Sequence, residues 1–433
     1  MLAGGASVGY PDSASSEERR EEVCASTDTP VAVQNIHEHW MEAGNACYDD
    51  GNYEEALAAF SLILQGDPGS LDACTRVADT LLQLGHYEEA LAAYEQVLRL
   101  DANNAYATNC KGTALYRLAR NEPARSAYQQ AIRLDPDEAI FHYNLGLAFA
   151  SLDLHQEAVA AFEQALRLDP ADAYACNSLG NSLYRLNRYE KALLAYDQAI
   201  QRAPHEAVFH YNRGKALAFL ERYEEALLAY DQAIECAPDD WQAYSARADV
   251  LFITQRYEEA LPAYRQAAHL LSTDVAVYHK LGLTLTSLNC PMEALAVYAH
   301  VIRLDPTYAP VYTQVGHILY DIECFYEALT AYKQALELNP ADAWAHYGKG
   351  NILRDIGSEK EAFFAYTRAV QLDPLCKPAR YWQGEMRLYL TTGKEWRPAS
   401  ASQNSTSQEH ALAHGLLWLA QPVLSLITPT AEQ

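Results

Sequence analysis

Apolar residues recur with the period of an α-helix along most of this chain. In the tract from Tyr189 to Ile200 they stand at i, i+3, i+4 and i+7, which is the spacing of a helix that buries one face. Prolines fall between such tracts, and a proline cannot continue a helix. The pattern therefore predicts an all-α protein made of short helices joined by short turns.

A 34-residue repeat underlies this pattern. Counting from His37, the chain divides into ten repeats that end at Cys376, with no insertion or deletion. We number the positions within each repeat as places 1 to 34. Place 8 is always glycine or alanine, place 20 is always alanine, place 24 is always tyrosine or phenylalanine, and place 32 is proline in eight repeats. Small residues at places 8 and 20 would let two antiparallel helices approach closely, with the place 24 ring between them. A single pair cannot bury its apolar faces, whereas a stack of pairs can.

This spacing resembles the tetratricopeptide repeat family, and the resemblance covers residues 37–376. It implies an all-α fold, a right-handed superhelical solenoid of helix pairs. In this family the first helix of each pair lines a concave groove, and the second helix forms the outer surface.

The segments outside the repeats are assigned from their composition. The expected organisation is a disordered acidic tail at 1–36, ten repeats at 37–376, a capping helix at 377–396, a polar linker at 397–408, and a short apolar helix with a tail at 409–433. The apolar run at 411–421 is too short to span a bilayer. It has three possible roles: folding back onto the solenoid, lying on a membrane surface, or docking on a partner.

Charge and motif content narrow the function classes. The net charge is −25 and the pI is near 4.9, which argues against binding to nucleic acid, because phosphates require a basic surface. Nine cysteines without a C-x-x-C motif indicate neither a disulfide framework nor a zinc site, and favour a reducing, cytoplasmic location. The chain has no nucleophile elbow, phosphate loop or His-Glu zinc motif. We therefore expect no enzyme activity, no metal and no cofactor.

The charge of the groove is predicted to change sign along the array. In the family, places 2, 5, 6, 9, 12 and 13 face the groove. In repeats 1 and 2 these places hold five acids and one base: Glu38, Glu42, Asp49, Asp72, Asp79 and Arg76. In repeats 3 to 6 they hold no acid and three bases: Arg117, Arg185 and Lys215. The acidity therefore lies mostly on the outer face, and the middle of the groove is mildly basic.

The candidate binding residues belong to a duplicated pair of repeats. Repeats 3 and 5 share an Ala-Tyr-Ala-x-Asn motif, and repeats 4 and 6 share Phe-His-Tyr-Asn. Asparagine amides offer donors and an acceptor to the peptide bonds of an extended segment, and tyrosines add flat contact area at low entropic cost. The candidate peptide-binding residues are Tyr106, Asn109, Arg117, Tyr143, Asn144, Tyr174, Asn177, Asn181, Arg185, Tyr211, Asn212 and Lys215.

Two family comparisons bear on these residues. The asparagines resemble the ladder in the repeat domain of O-linked N-acetylglucosamine transferases, which implies clamping of extended protein segments. Two of them, however, stand at place 5 and two at place 6, about 100° apart on a helix, an offset that would interrupt a continuous ladder. The second comparison is the carboxylate clamp of chaperone co-factors, whose spacing the chain does not reproduce. The residues available for such a clamp are Asn181, Arg185, Asn212 and Lys215.

The sequence thus favours a protein–protein interaction scaffold or adaptor that holds an extended segment of a partner in its groove. Two alternatives stay open. One is a chaperone or assembly factor with many clients, and the other is a membrane-recruited regulator that uses residues 411–421. Neither the partner nor the oligomeric state follows from the sequence.

Overall fold

The computed structural model describes residues 30–392 together with 423, 425 and 426. Within these residues the secondary structure is entirely helical, with 21 helices and no strand. The helices are α1 Pro30–Asp49, α2 Tyr53–Gly66, α3 Leu71–Gln83, α4 Tyr87–Leu100, α5 Ala105–Arg117, α6 Asn121–Leu134, α7 Ala139–Ser151, α8 His155–Leu168, α9 Ala173–Arg185, α10 Tyr189–Arg202, α11 Ala207–Phe219, α12 Tyr223–Cys236, α13 Trp241–Ile253, α14 Tyr257–Leu270, α15 Val275–Ser287, α16 Pro291–Leu304, α17 Ala309–Asp321, α18 Phe325–Leu338, α19 Ala343–Asp355, α20 Glu359–Leu372 and α21 Lys377–Thr392.

The helices pack as tandem pairs, as the repeat predicts. Each odd-numbered helix up to α19 is the first helix of a pair and packs on the second helix that follows it. The chain forms two compact units, which we call the N-terminal unit (residues up to Pro204) and the C-terminal unit (residues from His205). Within each unit the second helix of a pair also packs on the first helix of the next. The all-α solenoid class is thereby confirmed.

The core of each pair is built from the three invariant places. The alanine at place 20 is fully buried in every repeat, and the ring at place 24 is 0–2% exposed. In the fifth repeat the ring of Tyr196 lies directly over Gly180, so that a Cβ built on this glycine would lie 2.5 Å from Tyr196 Cε1. The glycine at place 8 therefore makes room for the ring, which confirms the role expected for it.

A left-handed residue makes the turn within every pair. Place 15 has a positive φ in all ten repeats, and glycine occupies it in only three of them. The other seven positions are Ala119, Asp153, Asn187, Glu221, Gln255, Asn289 and Glu323. For a residue with a Cβ this conformation is sterically costly, so the surrounding hydrogen bonds hold it in place. In the third repeat they run from Ala119 N to Tyr116 O, at 2.9 Å, and from Arg120 N to Leu115 O, also at 2.9 Å.

Short polar side chains close the joint between successive pairs. At the end of α8, Asp169 Oδ1 accepts a hydrogen bond from Ala171 N at 2.9 Å. Asp172 is the N-cap of α9 and accepts from Ala175 N at 2.9 Å, which satisfies a backbone donor that the helix leaves unpaired. Pro170 lies between these two aspartates, where no helical hydrogen bond is needed from its nitrogen.

The ends of the array differ in part from the expected boundaries. Helix α1 begins at Pro30, before the tail was expected to end at residue 36. A proline is well placed at a helix start because it lacks only an N–H that would be unpaired there. At the other end α21 covers the capping segment to Thr392. The rest of that segment, the predicted linker and the predicted helix at 411–421 lie outside the described residues. Further along, Val423 is buried and helical.

No helix in the described part of the chain is both long enough and apolar enough to cross a membrane.

Candidate functional site

The candidate site lies on the first helices of the N-terminal unit. There α3 contacts α5, α5 contacts α7, and α7 contacts α9, so one surface of the unit is made by first helices lying side by side. We call this surface the first-helix face. Nine of the twelve predicted residues belong to these helices, and the other three, Tyr211, Asn212 and Lys215, lie on α11 in the C-terminal unit.

Two of the predicted asparagines meet across adjacent repeats. Asn144 Nδ2 on α7 donates to Asn109 Oδ1 on α5 at 3.0 Å, and Asn109 is only 5% exposed. The offset between places 5 and 6, which was expected to interrupt the row, does not prevent this contact. A second link joins the same helices farther along, where Ser151 Oγ donates to the Tyr116 hydroxyl at 3.1 Å. Side-chain hydrogen bonds therefore fix the register of α5 against α7.

The other predicted asparagines are more enclosed than a displayed ladder requires. Asn177 on α9 is 8% exposed, and in the C-terminal unit Asn212 is also 8% exposed. Asn181 is exposed, but its Oδ1 accepts a hydrogen bond from the hydroxyl of Tyr196 at 2.9 Å. Part of the asparagine set thus has a structural role.

The predicted tyrosines divide into exposed and covered ones. Tyr106 and Tyr174, both at place 2, are 50% and 52% exposed. Tyr143 is half-buried, and its ring centroid lies 5.7 Å from that of Phe162. Burial raises the pKa of Tyr143 above its ordinary value, so its hydroxyl stays protonated at neutral pH. The available aromatic surface of this face is therefore supplied by the two place 2 tyrosines.

The predicted basic residues remain at the surface. Arg117 is exposed, and the side chain of Arg185 is 62% exposed, with Nη2 3.4 Å from Asp153 Oδ1. An exposed pair of this length restrains an arginine only weakly. In the C-terminal unit Lys215 Nζ lies 5.5 Å from the ring centroid of Tyr211, which is a cation–π distance. Because the residues considered for a carboxylate clamp are divided between the two units, they do not support a clamp within either one.

A pairing between places 9 and 24 was not predicted from the sequence. In five repeats the hydroxyl at place 24 donates to the side chain at place 9 of the same repeat, as in the Tyr196–Asn181 pair above and in Tyr366–Asn351, at 2.9 Å. In repeat 1 Phe60 has no hydroxyl to donate, and Asn45 Oδ1 is buried without a hydrogen-bond partner among the residues that the structure describes. The fixed 15-residue offset between a tyrosine and a polar residue was the signal available in the sequence.

A cavity of about 540 Å³ opens between α1, α3 and α5. Its wall includes Asn45, Arg76, Asp79 and Tyr106, two of which stand at the predicted groove place 9. Asp79 is 7% exposed and accepts hydrogen bonds at Oδ1 from the hydroxyls of Tyr94, at 2.7 Å, and Tyr106, at 3.1 Å. Burial raises the pKa of the Asp79 carboxyl above its ordinary value, and the two hydroxyls and the Arg76 guanidinium offset part of this rise. The predicted residue Tyr106 thus belongs to a built pocket that the sequence did not reveal.

No group of three or more histidine, cysteine or acidic side chains placed to hold a metal is present in the part of the chain that the structure describes.

The link between the asparagines gives a testable prediction. We expect Asn144→Ala to lower the free energy of unfolding by about 1–3 kcal/mol, because it leaves the buried Asn109 Oδ1 without its donor. Arg117→Ala on the same face should change it by less than about 0.5 kcal/mol, because its side chain is exposed. Urea denaturation of the two variants measures the difference, and equal losses would contradict the structural role of the amide pair.

Family models with the description tetratricopeptide repeat match several segments of the chain. The matched segments are 48–112, 111–173, 177–240, 211–275, 316–357 and 345–374. Together they cover more than half of the chain. The count of ten repeats remains a prediction from the 34-residue period.

Solved structures similar to the chain include other repeat proteins. YrrB, whose structure is described as a TPR protein with an unusual peptide-binding site, is 25% identical with a TM-score of 0.38, over 44% of this chain and 97% of its own. The pilF protein of Pseudomonas aeruginosa is 23% identical with a TM-score of 0.45, over 50% and 99%. A tetratricopeptide repeat protein of Parabacteroides merdae is 16% identical with a TM-score of 0.46, over 58% and 99%. No curated protein matches the sequence.

The matched segments coincide with helix pairs whose cores are formed by places 8, 20 and 24. The chain therefore belongs to the tetratricopeptide repeat family, and its architecture is that of a protein–protein interaction scaffold.

Proposed function

We propose that the protein is a scaffold or adaptor that holds an extended segment of a partner protein against the first-helix face of its N-terminal unit. The observation that carries the proposal is the pair of half-exposed place 2 tyrosines, Tyr106 and Tyr174, with the exposed bases Arg117 and Arg185 on the same helices. Tyrosine and arginine are the residue types that most often supply binding energy at protein interfaces.

The amide pair of α5 and α7 suits an extended segment rather than a helix. A helix satisfies its own backbone groups, whereas an extended chain presents unpaired N–H and C=O groups. The hydrogen bond between Asn144 and Asn109 uses one donor of the first amide and accepts at one oxygen of the second. Asn144 is partly exposed and its amide has further hydrogen-bonding capacity, so it can contact a peptide bond without reading the side chain attached to it, while the buried Asn109 holds it in place.

The charges of this face favour a partner segment of mixed sign. The exposed arginines of α5 and α9 belong to the repeats in which no predicted groove place holds an acid. We expect acidic partner residues to bind there. The first two repeats carry Glu38, Glu42 and Asp72 as exposed acids. We therefore expect a segment with an acidic part and a basic part, in which complementary charges set orientation and association rate more than affinity.

We also propose that the protein works in the cytoplasm. The eight cysteines that the structure describes are free thiols, and a reducing compartment keeps thiols in that state.

Peptide selection tests the proposed function. Short random peptides displayed on phage are selected on the full-length protein and then measured against the double variant Tyr174→Ala/Arg185→Ala by fluorescence polarisation. We expect the variant to bind the selected peptides at least about 10-fold more weakly, because it loses an aromatic and a charged contact.

The control variant is Leu194→Ala. Leu194 is an apolar residue of the same unit, 64% exposed, but it lies on the second helix α10. Loss of peptide binding in this control to the same degree as in the double variant would reject the first-helix face as the binding surface. Capture of unfolded chains without any sequence preference would instead favour the chaperone alternative.

A further inference from the structure

The Asp79 cavity contains a carboxylate without a cation. Both hydrogen bonds that Asp79 accepts from described residues end on Oδ1, which leaves Oδ2 for another donor. Arg76 in the same wall is exposed, and no ion pair joins it to Asp79 among the residues described. Taking a charge out of water without an ion-pair partner is costly, and the two tyrosine hydroxyls and the Arg76 guanidinium offset only part of that cost.

Another repeat of the same chain shows which group fits this position. Asp249 also stands at place 9, and the place 24 hydroxyl of Tyr264 donates to it at 2.6 Å. Here Lys280, at place 6 of the following repeat, donates from Nζ to both carboxylate oxygens, at 2.8 and 2.7 Å. The Asp249 and Lys280 side chains are 36% and 41% exposed, so even a more solvated carboxylate at this place has an ammonium partner.

The equivalent lysine is missing beside Asp79. Place 6 of repeat 3 is Cys110, whose thiol carries no positive charge that could pair with Asp79. The same carboxylate lines the cavity of about 540 Å³, which is within the usual size range of ligand pockets, about 300–1,000 Å³. The same cavity is lined by Asn45, whose buried Oδ1 accepts no hydrogen bond from the described part of the chain. A carboxylate oxygen and an unpaired amide oxygen in one cavity both call for a hydrogen-bond donor.

We propose that this cavity binds the ammonium group of a lysine side chain of the partner segment, in the way that Lys280 binds Asp249 within the chain. The proposal deepens the proposed function and rests on it for the source of the lysine. An ammonium has three donors and no acceptor, which suits Asp79 Oδ2 and Asn45 Oδ1 together. The partner lysine then supplies the positive charge that Cys110 does not.

The test uses a lysine probe that does not depend on any partner. Nα-acetyl-lysine methylamide is titrated into the full-length protein with ¹³C-labelled tyrosine rings, and the Tyr106 signal is assigned with Tyr106→Phe. Nα-acetyl-norleucine methylamide, of similar length and without charge, is the control ligand. We expect the Tyr106 signal to shift with the lysine probe and not with the norleucine probe.

Asp79→Asn is the decisive variant. It keeps an acceptor for the Tyr94 hydroxyl, as Asn181 does for Tyr196, so the helix pair is expected to fold. We expect it to bind the lysine probe at least about 10-fold more weakly, the usual loss when a charged partner is removed from a hydrogen bond. An unchanged affinity, or equal binding of the norleucine probe, would overturn the proposal.

Cys110→Lys supplies the missing cation from the chain itself. We expect this variant to lose the lysine probe, while Cys110→Met, of similar length and without charge, retains it. Continued binding by Cys110→Lys would contradict the equivalence with Lys280.

The peptides selected on the first-helix face connect the two proposals. We expect them to carry a lysine whose replacement by norleucine weakens binding as much as Asp79→Asn does. Peptides without such a lysine would overturn the inference and leave the proposed function standing. A selection that yields no peptide, while the lysine probe still binds, would instead reject the proposed function.

Discussion

Tyr196→Ala is expected to lower the free energy of unfolding by about 3–5 kcal/mol, which is the usual cost of removing a large buried ring from a core. The Tyr196 ring is 1% exposed and fills the wedge between α9 and α10. Its removal leaves a cavity that neither helix can close, because Ala192 already holds them at close range and is itself fully buried. Urea denaturation followed by circular dichroism measures the loss.

The control for this prediction is Tyr196→Phe, which keeps the ring and removes the hydroxyl. Burial raises the pKa of Tyr196 well above its ordinary value, so the hydroxyl is protonated and donates to Asn181. Since Asn181 is exposed, water can replace the lost donor, and we expect a cost of only about 0.5–1.5 kcal/mol. Similar losses in the two variants would show that the hydrogen bond, rather than the ring, stabilises the pair.

Gly180→Ala is expected to destabilise the protein by about 1–3 kcal/mol, the usual cost of overpacking a filled core. Alanine is normally the better helix former, and the sign is reversed here because the new Cβ would lie 2.5 Å from Tyr196 Cε1. Ala78 and Ala248 occupy the same place in two other repeats, but in both the next residue is an aspartate that accepts a hydrogen bond from the place 24 hydroxyl. The fifth repeat has Asn181 at that position and therefore lacks the aspartate that accompanies alanine at place 8.

Gly384→Ala is the matched control because it makes the same substitution within a helix. None of the residues that the structure describes lies within 4 Å of a Cβ built on Gly384 in α21. We expect this variant to stabilise the protein by about 0.5–1 kcal/mol, the helix propensity difference between the two residues. The two variants should therefore shift the denaturation midpoint in opposite directions, and a shift in the same direction would show that ring contact does not decide the sign.

The sequence predicted the core well because the core depends on residue size at fixed spacing. Alanine at place 20, a small residue at place 8 and a ring at place 24 each have one sterically acceptable location in a close helix pair, and they recur in every repeat. The structure places Ala192 and Tyr196 where this logic requires, both fully or nearly fully buried. Repetition turned a weak single-segment signal into a strong one.

The candidate site was predicted less completely because it depends on contacts between repeats. Helical angles within one repeat suggested that asparagines at places 5 and 6 diverge. The displacement between neighbouring helices compensates for the angle, and Asn144 reaches Asn109. The Asp79 cavity was not predicted either, because no sequence motif marks it. Its oxygens without a donor reflect side chains that are absent, a lysine at position 110 and a hydroxyl at position 60.

The stability of the molecule could be increased at its left-handed turns. Seven of the ten hold a residue with a side chain, in a conformation that glycine adopts without steric penalty. Because each repeat of a solenoid interacts only with its neighbours, relieving one turn strengthens one locality and leaves distant repeats unaffected. Thermal melting of such an array starts at its weakest stretch, so glycine at chosen turns would decide where along the chain unravelling begins.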